Sequence, residues 1–250
     1  MRRIALLVAY DGTDFQGFAK QRSARTVQGS LEEKLQVLLR TPIAITGAGR
    51  TDAGVHASGQ VVSFDAAEGI DPEWVMLRLN KWLAPEVSVR AAAVAPDGFD
   101  PRFSATGREY EYRVYRAATP DPFLDRFAVW IAGPLVIQAM RNGARAMVGE
   151  HDFSSFCRAN PSRSPVRTVR AVRIVTGTDQ LTFHVAADSF CQQMVRSMVG
   201  TLLEVGQGKR DPESVERALA ARDRAAAGAL APARGLHLVH VRYARTPFRS

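Results

Sequence analysis

Cysteine is nearly absent. The 250-residue chain has two, Cys157 and Cys191, 34 positions apart in no ligand spacing. That excludes a disulfide framework and a cysteine-rich metal site, and haem, iron–sulfur and redox roles with them. Cys191 reads as a packing residue. Long apolar runs are also missing, and nothing approaches the ~20 residues of a membrane-spanning helix. The N-terminal stretch Met1-Arg2-Arg3-Ile4-Ala5-Leu6-Leu7-Val8-Ala9-Tyr10 has the look of a signal peptide, but it meets Asp11 at once and offers no A-x-A cleavage site. It is read as a strand, and the chain as cytoplasmic. With 46% hydrophobic and 23% charged residues, the composition supports a sizeable core and excludes wholesale disorder.

Lysine is scarce as well. Of 33 basic residues only Lys20, Lys34, Lys81 and Lys209 are lysine, which leaves 29 arginines. Guanidinium forks suit phosphate oxygens. A GC-rich coding sequence would also favour arginine, so the preference alone does not choose between the two. The net charge of +8 is harder to attribute to such a bias and points to a polyanionic partner.

Hydrophobic periodicity divides the chain into two similar halves. In the first, strands are expected at Ile4–Tyr10, Ile43–Thr46, Gly59–Phe64 and Glu86–Ala95. Helices are expected at 27–39 and from Pro72 to Leu83, the latter capped by Asp71. In the second, strands are expected at Gly107–Arg116, Val166–Thr176, Gln180–Ala186 and Leu236–Tyr243. One helix opens at Pro134, another is capped by Ser189 and carries Met194, Val195, Met198, Val199 and Leu202, and an extra helix lies near 212–222. Each half reads β-α-β-β-α-β, the ferredoxin-like order. The expected class is α+β: two ferredoxin-like (RRM-like) halves, residues 1–105 and 106–250, forming one extended antiparallel or mixed sheet with helices on one face.

One loop stands out. Gly47-Ala48-Gly49-Arg50-Thr51-Asp52-Ala53-Gly54-Val55-His56-Ala57-Ser58-Gly59-Gln60 places four glycines within thirteen residues, so its backbone approaches something closely. A dinucleotide fingerprint fails, because the third glycine is misplaced and a strand follows. A P-loop fails for want of Gly-Lys-Ser/Thr. The loop resembles the aspartate motif of the TruA family of tRNA pseudouridine synthases, whose signature is Arg-Thr-Asp-Ala-Gly-Val-His. Further segments resemble that family in the same order: Tyr10-Asp11-Gly12-Thr13 with Gly17, Phe103-Ser104-Ala105-Thr106 followed by Tyr110, His151-Asp152-Phe153-Ser154-Ser155-Phe156, and Met194-Val195-Arg196 with Gly200. The resemblance runs from about residue 4 to 243. Phe18 stands where the family usually has tryptophan, which bears on packing beneath the loop. Ala84 precedes Pro85 where Leu-Pro is usual, and Gln192-Gln193 stand where histidine is common.

The resemblance implies a catalytic role for Asp52. It implies that Arg50 helps displace the target base and pairs with Asp52, that Tyr110 stacks near that base, and that Arg196 forms an ion pair with Asp52. It also implies tRNA as partner, action at positions 38, 39 and 40 of the anticodon stem-loop, a homodimer, and no cofactor or metal. The chemistry suits a carboxylate. The ribose–N1 bond breaks and the ribose rejoins uracil at C5, with no electron carrier. An aspartate can attack carbon or remove a proton, and the sequence does not decide between these. His56 either touches RNA or is a solvated loop residue. His237 and His240 face opposite sides of a strand and are not a metal pair. The five arginines between Arg158 and Arg173 read as RNA backbone contacts in preference to a solvated face. The competing reading is a non-catalytic RNA binder of two RRM-like units, for which Tyr110-Glu111-Tyr112 is a poor aromatic motif.

Overall fold

A computed structural model describes residues 1–248. The class is α+β, and the chain forms two compact units, Met1–Thr106 together with the segment from Leu238 onward, and Gly107–His237.

In the first unit Ile4, Leu6, Val8 and Tyr10 alternate along β1 (Arg2–Tyr10) and are buried. β1 runs antiparallel to both β3 (His56–Ala66) and β4 (Val87–Val94), with Ile4 opposite Phe64 on one side and Val94 on the other. α1 (Val27–Leu39) buries Val27, Leu31 and Leu35, and α2 (Pro72–Leu83) buries Val75 and Leu79. Asp71 caps α2 as expected, accepting from the Glu73 and Trp74 N–H groups, with Pro72 at the first position. β2 is only Thr46–Gly47, paired to β3, and not the expected 43–46. The reason is local: the Ile45 N–H donates to the Glu32 carboxylate (3.0 Å) and its carbonyl accepts from Gln28 Nε2 (3.2 Å). Helix side chains have taken the groups a ladder would use. β10 (Leu236–Tyr243) lies beside β3, giving the order β4-β1-β3-β10. The sequence reading carried this strand with the second half. From Leu238 it packs with the first unit, against Gly59, where any Cβ would collide with the Val239 carbonyl.

The second unit orders β5 (Ala105–Tyr115), β9 (Gln180–Ala187), β8 (Val166–Thr176) and β7 (Gly149–Asp152) as an antiparallel β5-β9-β8-β7. β6 (Val129–Trp130) is a short parallel addition to β5. The expected turn between β8 and β9 closes with Gly177 N–H to the Gln180 carbonyl, 2.8 Å. Tyr110, Tyr112 and Val114 share one buried face with Leu181, Phe183 and Val185, while Glu111, Arg113, Thr182 and His184 line the other. α3 (Ile137–Ala146) packs on β8 and on α4 (Met194–Gly206), and α5 (Ser214–Ala221) packs on α3. α3 starts after its expected Pro134, because the Val136 N–H is held by the Gly206 carbonyl (2.8 Å).

Two corrections concern one place. Cys157 and Cys191 are joined as a disulfide, their Cα atoms 5.6 Å apart. Cys191 is therefore a cross-link and not merely packing; the fold brings together two positions that spacing alone did not connect. Ser189 does not cap α4, which begins at Met194 after Gln193 at φ 67°. The intervening residues are held instead to the strand-side segment, by the Cys157 bond and by the Arg158 N–H donating to the Gln192 carbonyl (3.0 Å).

Candidate active site

Asp52 opens a tight turn in the first unit. The Val55 N–H donates to the Asp52 carbonyl (3.2 Å), and Gly54 takes φ +74° at the third position. A type II turn needs a positive φ there, which glycine adopts without strain. The segment after β1 wraps this turn. Tyr10 and Thr51 share a 2.8 Å hydroxyl–hydroxyl bond, the Phe18 N–H donates to the Thr51 carbonyl (3.1 Å), and the Gly54 N–H donates to the Phe15 carbonyl (3.3 Å). A Cβ on Gly12 would collide with the Val55 carbonyl, and one on Gly17 (φ +93°) would lie 2.8 Å from the Thr51 carbonyl. These close approaches are the physical content of the Tyr10-Asp11-Gly12-Thr13 and Gly17 pattern. Burial pushes the Tyr10 phenol up to about 12, so its hydroxyl stays protonated and available to Thr51.

The loop's other end is fixed to β3. The Ala48 N–H donates to the Val61 carbonyl (2.8 Å), and Gln60 Nε2 donates to the Gly49 carbonyl (2.9 Å). Phe18 fills the space under Gly47, where a Cβ would lie 2.5 Å from its ring, and it packs near Tyr10 at 6.2 Å between centroids. A phenylalanine thus occupies that place without disrupting the loop. The result is a half-buried Asp52 on an anchored turn, with Arg50 exposed two residues before it.

Tyr110 and Arg196 belong to the second unit. Tyr110 is 9% exposed, its ring edge-on to Phe190 at 5.2 Å. Tyr112 is fully buried beneath, as expected, its hydroxyl donating to the Pro232 carbonyl at 2.9 Å. Burial raises the Tyr112 phenol, and the Arg196 and Arg234 charges partly offset that rise. Arg196 stands in the first turn of α4, and its Nε donates to the Ala231 carbonyl (2.8 Å). The 229–231 segment reaches α4 only because Gly200 has no side chain: a Cβ there would collide with the Ala229 carbonyl.

His56 corrects both of its sequence readings. It is the first residue of β3 and 2% exposed, so it is neither solvated nor placed to touch RNA. The arginine stretch splits. Arg158, Arg163, Arg170 and Arg173 are exposed, whereas Arg167 is half-buried and gives its Nη1 to the Ser164 and Val166 carbonyls.

Comparison with known proteins matches residues 6–104 and 144–244 to the family described as tRNA pseudouridine synthase. A Halalkalibacterium halodurans protein named tRNA pseudouridine synthase A is 44% identical over 238 residues, covering 94% of this chain and 90% of that protein. Proteins of the same name from Geobacillus kaustophilus and Bacillus subtilis are 42% and 41% identical over 244 residues, covering 97% and 96% of this chain and 95% and 99% of theirs. Among solved structures, a chain of an archaeal box H/ACA sRNP Nop10–Cbf5 complex is matched at 12% identity and a TM-score of 0.35, over 80% of this chain and 44% of that one, a likeness too slight to bear on function. The first arm of the family match includes the elements that cradle Asp52 and the second includes the helix that carries Arg196, and the agreement with the relatives runs nearly end to end: the chain belongs to the tRNA pseudouridine synthase family.

Proposed function

We propose that this chain isomerises uridine to pseudouridine in the anticodon stem-loop of tRNA, at positions 38, 39 and 40, with Asp52 as the essential carboxylate and no cofactor. The observation that carries the reading is the near-full-length agreement with relatives named tRNA pseudouridine synthase A. The Asp52 turn suits the role: the residue is half-buried on a backbone pinned from both sides. Such preorganisation lowers the cost of reaching the reacting geometry. Asp52 either attacks the ribose or takes a proton as the base detaches. Arg50, exposed beside it, helps hold the base out of the stack, a displacement that costs a few kcal/mol. Tyr110 packs against the displaced uracil, and Arg196 pairs with the carboxylate.

The enzyme works as a homodimer in the cytoplasm, as the family resemblance and the tRNA substrate support. The Cys157–Cys191 pair weighs against that compartment, since disulfides are rare there. Alkylating the protein at harvest, then weighing it before and after reduction, decides the cysteine state.

The activity is tested with unmodified tRNA carrying tritium at uracil C5. The wild-type protein should release tritium to water. Asp52→Asn should bind tRNA but lose turnover by several powers of ten. Release by Asp52→Asn near the wild-type rate overturns the assignment, and no release by the wild type overturns the activity.

A further inference from the structure

His56 is buried directly behind the Asp52 turn. The Gly12 N–H donates to His56 Nδ1 at 3.0 Å. The same nitrogen lies 3.2 Å from Asp11 Oδ1, an oxygen that also accepts from the Thr13 N–H (3.0 Å) and the Thr13 hydroxyl (2.6 Å). A ring nitrogen that accepts from an amide offers its lone pair there, so Nδ1 serves as the acceptor for Gly12, while the Asp11 oxygen beside it is engaged by Thr13. Gly12 in turn abuts the Val55 carbonyl with no room for a Cβ, and the Val55 N–H closes the Asp52 turn. A continuous path therefore runs from His56 Nδ1 through Gly12 and Val55 to Asp52.

We propose that His56 is a positioning residue for Asp52, acting through the Nδ1 lone pair that fixes Gly12. This rests on the reading of Asp52 as the carboxylate that acts. Without that acceptor the Gly12 N–H has no partner at this place, the strap loosens from Val55, and the turn carrying Asp52 moves. A displacement of about 1 Å at a reacting group can cost about 10²-fold in rate.

Three substitutions separate the lone pair from mere bulk. His56→Asn puts an amide oxygen where Nδ1 stands. His56→Gln carries its amide one bond farther out, beyond reach of Gly12. His56→Leu fills the volume with no acceptor. The measurements are kcat and KM for tritium release from tRNA, with thermal unfolding alongside. The expected result is that Asn stays near wild type, while Leu and Gln lose about 10²-fold in kcat at unchanged KM. A Leu variant with wild-type kcat, an Asn variant as slow as Leu, or a loss confined to KM overturns the proposal. If the Leu variant fails to fold, the contrast between Asn and Gln decides. Asp52→Asn is run beside them. If it stays active, the functional reading itself fails; if it is inactive while His56→Leu is fully active, only the positioning role fails.

Discussion

Tyr110 and Tyr112 sit two apart on one face of β5, yet their surroundings differ. Tyr110 meets Phe190 edge-on, whereas Tyr112 is sealed under Gly235 and bonded to the Pro232 carbonyl. Removing each hydroxyl should therefore read out differently. Tyr110→Phe keeps a ring that can stack, a contribution of ~1–3 kcal/mol, but loses any proton-transfer role, worth ~10²–10⁴-fold. It should bind tRNA almost normally and turn over much more slowly. Tyr112→Phe should turn over near the wild-type rate and lose ~0.5–1.5 kcal/mol of stability, the net worth of its bond to the exposed Pro232 carbonyl. Tritium release and urea unfolding on both variants check this, and equal losses of activity would mean fold damage. At this scale Asp52 was legible, because a Gly-rich string around an acid is written consecutively. The bonds that hold it were not. Tyr10 to Thr51 and Gly12 to His56 span 41 and 44 residues, and no local pattern encodes such pairs. His56 belongs to the loop by local sequence, but β3 starts there rather than at Gly59, and the strand buries it.

Helix α1 is tied to the strand side of the loop by Glu32. Its carboxylate accepts from Lys20 Nζ (2.8 Å), the Ile45 N–H (3.0 Å) and Gln28 Nε2 (2.9 Å), and its side chain is only 8% exposed. Burial by itself would raise its pKa, but these three donors outweigh burial and hold it below its ordinary value of 4.5. A carboxylate with a depressed folded value contributes stability that is fully present above the unfolded value and lost as pH falls through the folded one. Glu32→Gln should thus be less stable at neutral pH by ~1–3 kcal/mol. It should also lose less stability than the wild type on acidification below 4.5. Urea midpoints across that range check both, and parallel pH curves for the two proteins would sink the idea. The long elements were readable because eight or more residues show their period: β1, α1, α2, β8 and β10 fall within a residue or two of expectation. β6 and β7, at two and four residues, are too short to carry one. The starts of α3 and α4 were displaced by tertiary bonds to Gly206 and Cys157, which override a local capping signal.

At the scale of the whole molecule the net charge of +8 concerns affinity for a polyanion. The residues that deliver it can now be separated by exposure. Arg158 and Arg163 flank an exposed turn in which Asn160 accepts from the Ser162 and Arg163 N–H groups, and their guanidinium groups face solvent. Arg167, the second residue of β8, is committed to the Ser164 and Val166 carbonyls. Each phosphate neutralised by a basic side chain releases counterions and steepens the fall of affinity with salt. If the turn contacts the tRNA backbone, replacing Arg158 and Arg163 by alanine should weaken binding at low salt and flatten the slope of log K against log salt by about 1 per arginine. Arg167→Ala should leave that slope alone and instead lower stability, since its role lies within the chain. Filter binding of tRNA over a salt series, with unfolding measured on the same proteins, separates the two behaviours. An unchanged slope for the Arg158 and Arg163 pair would mean that the turn is a solvated face and that the positive charge meets RNA elsewhere. A flattened slope for Arg167→Ala would mean that the guanidinium leaves its carbonyl partners when RNA arrives.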